Sequence, residues 1–133
     1  MKEPPLGGFE RGETLTAGLG ELRIFRRRAP PAFWVEARGI ITPDLLRQDL
    51  ACAERFGVEN PRGWSYVADA TAVRMVHPAN VLELRRIPAL PNLRRYVVIT
   101  RSRAQRLLIA SGRWLVSPDA VVATTEEALE QIA

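Results

Sequence analysis

The sequence predicts an α/β fold in which helices cover a mixed, mostly parallel sheet. Strand-like and helix-like hydrophobic patterns alternate in the order β-β-α-β-α-β-α-β-α, which is typical of parallel strands joined by right-handed crossovers. The segment Arg95–Thr100 is almost entirely apolar, as expected of a strand covered on both faces. A chain of 133 residues, 47% hydrophobic and 26% charged, fits one globular domain.

The N-terminal half begins with a segment that has no apolar period. Residues 1–20 are rich in Gly and Pro, which predicts a mobile tail before a domain over residues 21–133. The alternative within the tail is a short strand near Thr14–Leu15. Two strands that pair as an antiparallel hairpin are then predicted at Leu22–Phe25 and Phe33–Ile41. A helix follows at the sequence Thr-Pro-Asp, where Thr42 caps the helix.

The C-terminal half carries the alternating elements. Trp64–Ala68 predicts a strand, with Asp69 at its end. The other predicted elements are a helix from Pro78 to Ile87, the strand Arg95–Thr100, a helix from Ser102 to Leu115, the strand Ala120–Ala123 and a last helix that begins at the capping box Thr124–Glu127.

Several of these segments resemble a known family. They are the strand-to-helix step Gly39–Asp44, Asp69 after its strand, the strand Arg95–Thr100, and Val121–Leu129 near the C-terminus. Over residues 21–133 the order resembles the STAS domain of anti-sigma factor antagonists and sulfate transporters. It is more similar still to the uncharacterised SpoIIAA-like, or STAS-like, proteins. The resemblance implies binding of a partner protein, a nucleotide or a small molecule, and a fold similar to lipid-transfer domains.

The chain departs from the anti-sigma antagonists at their regulatory motif. Those proteins carry Asp-Ser-Ser-Gly eight residues after the Asp that matches Asp69, and they are phosphorylated on a serine of this motif. Here the matching residues are His77-Pro78-Ala79-Asn80. Because both serines are replaced, the resemblance implies no phosphoserine switch in this chain.

Polar residues follow the ends of neighbouring predicted strands. Asp69, His77, Ser102 and Arg103 are expected at one rim of the sheet, since the carboxyl ends of parallel strands meet there. With Asn80 they form the predicted ligand-binding set. The alternatives are structural: Asp69 accepts backbone N–H groups in a turn, His77 is a surface turn residue, and Ser102 only caps a helix.

Apolar residues predict a partner surface elsewhere. Val81 and Leu84 lie on the helix that begins at Pro78, and Trp114 interrupts the helical period of its segment. The competing interpretation is a concave pocket lined by Val81, Leu84, Leu107 and Leu108. The sequence therefore predicts a non-enzymatic regulatory or protein-interaction module, and the alternative is a binder or sensor of a small apolar or anionic ligand.

Composition argues against several other functions. One His and one Cys cannot build a metal cluster of the usual kind. The chain has no phosphate-binding loop, nucleophile elbow or dinucleotide fingerprint. We therefore expect no catalytic residue, metal or cofactor.

The remaining expectations concern location and partners. The net charge is +4, and 18 of the 19 basic residues are Arg, which we attribute to Arg replacing surface Lys rather than to nucleic-acid binding. The lone Cys52, the lack of an apolar run of membrane length and the lack of a secretion signal predict a cytoplasmic protein. A homo-oligomer fits the expectation that Leu22–Phe25 forms an open sheet edge.

Overall fold

The protein is described by a computed structural model that covers residues 8–76, 79–100, 102 and 118–133, without the side chains of Val76 and Val81. Six strands form one sheet in chain order: β1 (Phe9–Ala17), β2 (Gly20–Arg28), β3 (Pro31–Ile41), β4 (Trp64–Val76), β5 (Leu93–Ile99) and β6 (Ala120–Val122). The helices are α1 (Pro43–Glu59), α2 (Asn80–Leu84), a 3₁₀ turn (Ile87–Ala89) and α3 (Thr125–Gln131).

The sheet is antiparallel on one side and parallel on the other. Strands β1, β2 and β3 pair antiparallel, whereas β3, β4, β5 and β6 pair parallel. The predicted α/β class with a mixed, mostly parallel sheet is confirmed. The predicted helix after Ser102 lies outside the described residues. Among the described helices, none combines the length and the apolar character that a membrane crossing requires.

The N-terminal boundary of the predicted domain differs from the observed one. Residues Phe9–Ala17, which the sequence assigned to a tail, form strand β1 and pair with β2 along its length. Phe9 is buried, and Leu15 and Ala17 pack against the opposite core. The alternation that marks a strand is interrupted by the register shift between Arg11 and Thr14. The expectation that Leu22–Phe25 forms an open edge is also wrong, because β1 covers it.

Two further elements have different lengths from those predicted. Strand β4 does not end near Asp69 but continues to Val76, paired with the end of β3. The predicted helix from Pro78 to Ile87 is shorter: α2 spans Asn80–Leu84, and a separate 3₁₀ turn follows. Pro88 and Pro91 cannot donate the backbone hydrogen bonds that a continuing helix needs.

Both described helix caps were predicted from sequence. The Thr42 hydroxyl accepts a hydrogen bond from the backbone N–H of Leu45 at 3.4 Å. At α3 the Thr124 hydroxyl accepts from the N–H of Glu127 at 3.1 Å and donates to the Glu127 carboxylate. These bonds satisfy amide groups that have no partner within the helix.

Helices cover both faces of the sheet. On the first face, α1 packs over Leu22, Ile24, Phe33, Trp64 and Tyr66. On the second face, α3 packs through Ala128 and Ile132 over a smaller cluster that contains Phe9, Phe25, Ala32, Trp34, Val67, Val97, Ile99 and Val122. Consecutive strand residues point to opposite faces, so the central strands contribute to both cores.

Two glycines allow the β1–β2 turn to approach the end of β3 closely. Gly20 and Gly39 are register partners, and Gly39 has a φ of +75°. A Cβ atom on Gly39 would overlap the carbonyl oxygen of Leu19, and one on Gly20 would overlap the carbonyl oxygen of Ile40. The backbone contact from the N–H of Ile40 to the Leu19 oxygen, 3.3 Å, therefore depends on glycine at both positions.

Replacing Gly39 by Ala tests this close approach. Gly18 is the matched control, because its φ is +58° but an added Cβ would meet nothing within 4 Å. We expect Gly18→Ala to lower the free energy of unfolding by about 1 kcal/mol through backbone strain alone. Gly39→Ala adds a steric overlap with backbone and should cost about 3 kcal/mol or more. Urea unfolding measures both, and equal losses would show that the overlap is not rigid.

Replacing Thr42 tests the cap of α1. Thr42→Ala removes the acceptor for the Leu45 amide and should lower the free energy of unfolding by about 1 kcal/mol. Thr42→Ser keeps a hydroxyl at the same position and should retain most of that stability. Chemical denaturation of the three proteins provides the comparison. A Ser variant as unstable as the Ala variant would mean that the methyl group, not the cap, carries the effect.

Candidate functional site

Asp69 lies on β4 at the level where the neighbouring strand β5 ends. Its register partners are Glu36 on β3 and Ile99, the last residue of β5. The Asp69 side chain is buried, and its Oδ1 accepts hydrogen bonds from the Thr71 backbone N–H at 3.0 Å and the Thr71 hydroxyl at 2.7 Å. These local bonds match the structural alternative for Asp69, although they form within a strand rather than in a turn.

Glu36 is a second buried carboxylate beside Asp69, and sequence reasoning did not single it out. It is 6% exposed and lies on the face that also carries Trp34. Arg38 donates from Nε and Nη2 to one Glu36 oxygen at 3.3 and 3.2 Å. A charged residue inside the apolar alternation of Phe33–Ile41 was the available signal, because strands covered on both faces are otherwise near-continuously apolar.

Asn80 anchors α2 to the sheet and does not lie in an open site. Its side chain has no exposed surface, and Nδ2 donates to the backbone oxygen of Ile41 at 2.7 Å. Its Oδ1 has no hydrogen-bond partner in the described part of the chain. The bond joins the start of α2 to the last residue of β3, so Asn80 holds α2 against the sheet.

The other predicted ligand residues are only partly described. Ser102 is exposed, and its backbone oxygen accepts a bond from the Thr100 hydroxyl at 3.5 Å. His77 and Arg103 lie outside the described residues, so the predicted meeting of Asp69, His77, Ser102 and Arg103 stays a prediction. Among the described residues, no three His, Cys, Asp or Glu side chains are grouped to hold a metal ion.

The predicted partner surface is also described in part. Leu84 is partly buried and packs against the core beneath α1, which limits its role at a surface. The side chain of Val81 and all of Trp114 lie outside the described residues. On the same short helix, however, Leu82 is 68% exposed, although it was not among the predicted surface residues.

Exposed apolar side chains are concentrated at one end of the sheet. We call Leu19, Met75 and Leu82 the apolar end; they are 81%, 54% and 68% exposed. Leu19 lies where the β1–β2 turn bonds to Ile40, and Ile40 is the register partner of Met75. Leu82 lies two residues after Asn80, whose side chain bonds to Ile41. The other large hydrophobic residue exposed in the described chain is Val58 on α1.

The apolar end is part of an overhang in which strands β1 to β4 extend past the described end of β5. The described pairing of β4 with β5 stops at Asp69 and Ile99, whereas β4 continues over residues 70–76 beside the end of β3. Helix α1 starts two residues after β3 ends, with Thr42 as its cap. The overhang therefore extends beyond the last residue of β5.

A buried polar group that the sequence also missed lies beneath α1. Asp49 has no exposed surface, and its Oδ2 accepts a hydrogen bond from the Tyr66 hydroxyl. Burial is the largest cause that raises the pKa of Asp49, to about 7. Asp49 follows Leu45 and Leu46 at helical spacing and precedes Ala53 by one turn, so its position on the apolar stripe was the signal. Cys52, on the same helix, is also buried.

Comparison with known proteins identifies the fold. No protein-family model matches the chain, and no curated protein matches it. A solved structure of an uncharacterised protein from Shewanella loihica PV-4, of the DUF3478 family and with a SpoIIAA-like fold, superimposes with a TM-score of 0.65. The two share 12% sequence identity, and the match covers 92% of this chain and all of that one. The sheet described above, with helices on both faces, is therefore a SpoIIAA-like fold.

Proposed function

We propose that this chain is a non-enzymatic protein-interaction module that binds a partner protein through the apolar end and works without a phosphoserine switch. The observation that carries the proposal is the exposure of Leu19, Met75 and Leu82 at one end of the sheet. Single exposed apolar residues are ordinary on protein surfaces. In the described chain, three of the four exposed large hydrophobic residues lie at one end of the sheet. Such a concentration is typical of an interaction surface.

The way in which Leu19 is held supports this interpretation. The turn that carries it is fixed to β3 by the bond to the Ile40 amide and by the close packing of Gly20 and Gly39. A leucine whose backbone is already fixed loses less conformational freedom on binding, and this favours affinity. An exposed leucine on an unconstrained loop would gain less from the same contact.

The lack of serine at the motif position supports a switch-free mode. Pro78 and Ala79 occupy the positions of the two serines in the related antagonists. Neither side chain can accept a phosphoryl group, so binding at this end is expected to be regulated by concentration or by the partner. The structural neighbour is itself uncharacterised, so it adds no particular partner or ligand to this proposal.

The alternative, an anionic ligand at the strand rim, is less well supported by the described residues. The two buried side chains at this level of neighbouring strands, Glu36 and Asp69, are both carboxylates. Arg38 is already paired with Glu36. An incoming anion would meet like charge at this point, so an apolar protein contact at the neighbouring overhang accounts better for the exposed residues.

Replacing the apolar end by serine tests the proposal. Purified wild-type protein and a Leu19→Ser/Met75→Ser/Leu82→Ser variant are used to retain proteins from an extract of the source organism, with quantitative mass spectrometry as the readout. We expect a protein that wild type retains and the triple variant does not. With the purified partner, each truncation at the centre of the contact should cost about 2 kcal/mol, roughly thirtyfold in Kd.

Val58→Ser is the matched control, because Val58 is 65% exposed but lies on α1, away from the apolar end. It should retain the partner as wild type does. Sedimentation of wild type at several concentrations shows whether the partner is a second copy of the chain. A partner that the triple variant binds as tightly as wild type, or that Val58→Ser loses equally, would contradict the proposal.

A further inference from the structure

Asp49 is an acidic residue placed inside an apolar helix face. Leu45, Leu46, Leu50 and Ala53 surround it on α1, and all four are buried against the sheet. The carboxyl group itself has no exposed surface. Water therefore cannot stabilise a negative charge at this position, and the protein must do so or leave the group neutral.

The hydrogen bonds of Asp49 are too few for an ionised carboxylate. A carboxylate can accept about four hydrogen bonds, but Oδ2 accepts one from the neutral Tyr66 hydroxyl and Oδ1 has no partner in the described chain. No described arginine forms an ion pair with it. Arg26, on β2, uses both terminal nitrogens on the two carboxylate oxygens of Glu13.

The titratable groups around Asp49 come from five elements. They are Tyr66 on β4, Tyr96 on β5, Arg26 on β2, Glu13 on β1, and Cys52 with Arg55 on α1. Burial raises the pKa of both tyrosines above their ordinary value and that of Cys52 to about 11. The hydrogen bond from Arg26 keeps the pKa of Glu13 low, at about 2. Only Asp49 in this group changes its charge near neutral pH.

We propose that the Asp49–Tyr66 pair is a buried proton-binding site that couples the packing of α1 on the sheet to the uptake of one proton. The neutral form of Asp49 is easier to bury than the ionised form. It carries no charge to desolvate, and it needs fewer hydrogen bonds than a carboxylate does. Tyr66 can still donate to the unprotonated oxygen, so the pair remains hydrogen-bonded when Asp49 is protonated. This inference does not depend on the proposed protein interaction.

The direction of the pH dependence follows from the raised pKa. Asp49 has a pKa of about 7 when buried, against an ordinary value of 3.8. The folded form therefore holds a proton that the unfolded chain has released between about pH 4 and pH 7. The stabilisation is complete below the lower value and is lost as pH rises through the upper one. Over this interval the unfolding constant should rise by up to about tenfold per pH unit.

The first test compares wild type with Asp49→Asn across pH 5 to 8.5. Asparagine has the size of the neutral acid but cannot titrate. The ratio of the wild-type to the variant unfolding constant, from urea titrations, should rise with pH and level off above the folded pKa. A ratio that stays flat over this range would overturn the proposal. Because Asp49→Asn risks failing to fold, carbon NMR of the Asp49 carboxyl in wild type gives an independent titration, and a midpoint below pH 5 would also overturn it.

The second test asks whether the proton is linked to α1 in particular. Amide hydrogen exchange, corrected for the intrinsic pH dependence, should show α1 losing protection between pH 5 and pH 8 in wild type. Helix α3, which packs on the opposite face, is the internal control, and those of its amides that exchange by local opening rather than by global unfolding should not change. Tyr66→Phe, which removes the one donor to Asp49, should raise the carboxyl midpoint further. Titration without any change at α1, or an equal change at the locally exchanging amides of α3, would overturn the coupling.

Discussion

The packing of α1 against the first face of the sheet is the interaction on which the rest of the structure depends. Phe33 stands at its centre: its ring lies 5.7 Å from Phe56, 6.2 Å from Trp64 and 5.6 Å from Tyr66. Aromatic pairs at these distances add to the gain from apolar burial. The Trp64 indole N–H donates to the Pro91 oxygen at 2.7 Å, so the cluster also fixes the chain that leads into β5. Helix α1, the parallel strands β3 and β4, and the segment that leads into β5 are thus held together by one set of contacts.

That packing sets the positions of both features to which we assign a role. The helix starts directly after β3, so docking α1 also fixes the end of β3, to which the Leu19 turn and Asn80 are bonded. The same docking buries Asp49 against Tyr66. A single apolar replacement at Asp49 would pack more simply, since a buried polar group with few partners is a cost to stability. This cost arises in α1, the helix that covers the first core.

The fold and the proposed function rest on different kinds of observation. A SpoIIAA-like fold is shared with a protein that is only 12% identical, and a shared fold does not transfer an activity. The interaction hypothesis rests instead on where this chain leaves leucine and methionine exposed. The second face is polar near the overhang, where the Glu36–Arg38 pair and Asp69 lie on neighbouring strands, and apolar beneath α3. The polar part of this face begins at the level of Ile99, the last residue of β5.

The sequence by itself determined the class of the fold and many of its local features. The Thr42 and Thr124 caps, the hairpin of β2 and β3, and the strand after Pro91 follow from local rules about hydrogen bonding and alternation, which act within a few residues. Tertiary structure alone decided that Phe9–Ala17 join the sheet, that β4 passes beyond Asp69, and that Asp49, Glu36 and Leu82 have their observed burial. Each of these depends on contacts between distant segments, such as the bond between Asn80 and Ile41, and a local pattern carries no information about which distant surface will cover it.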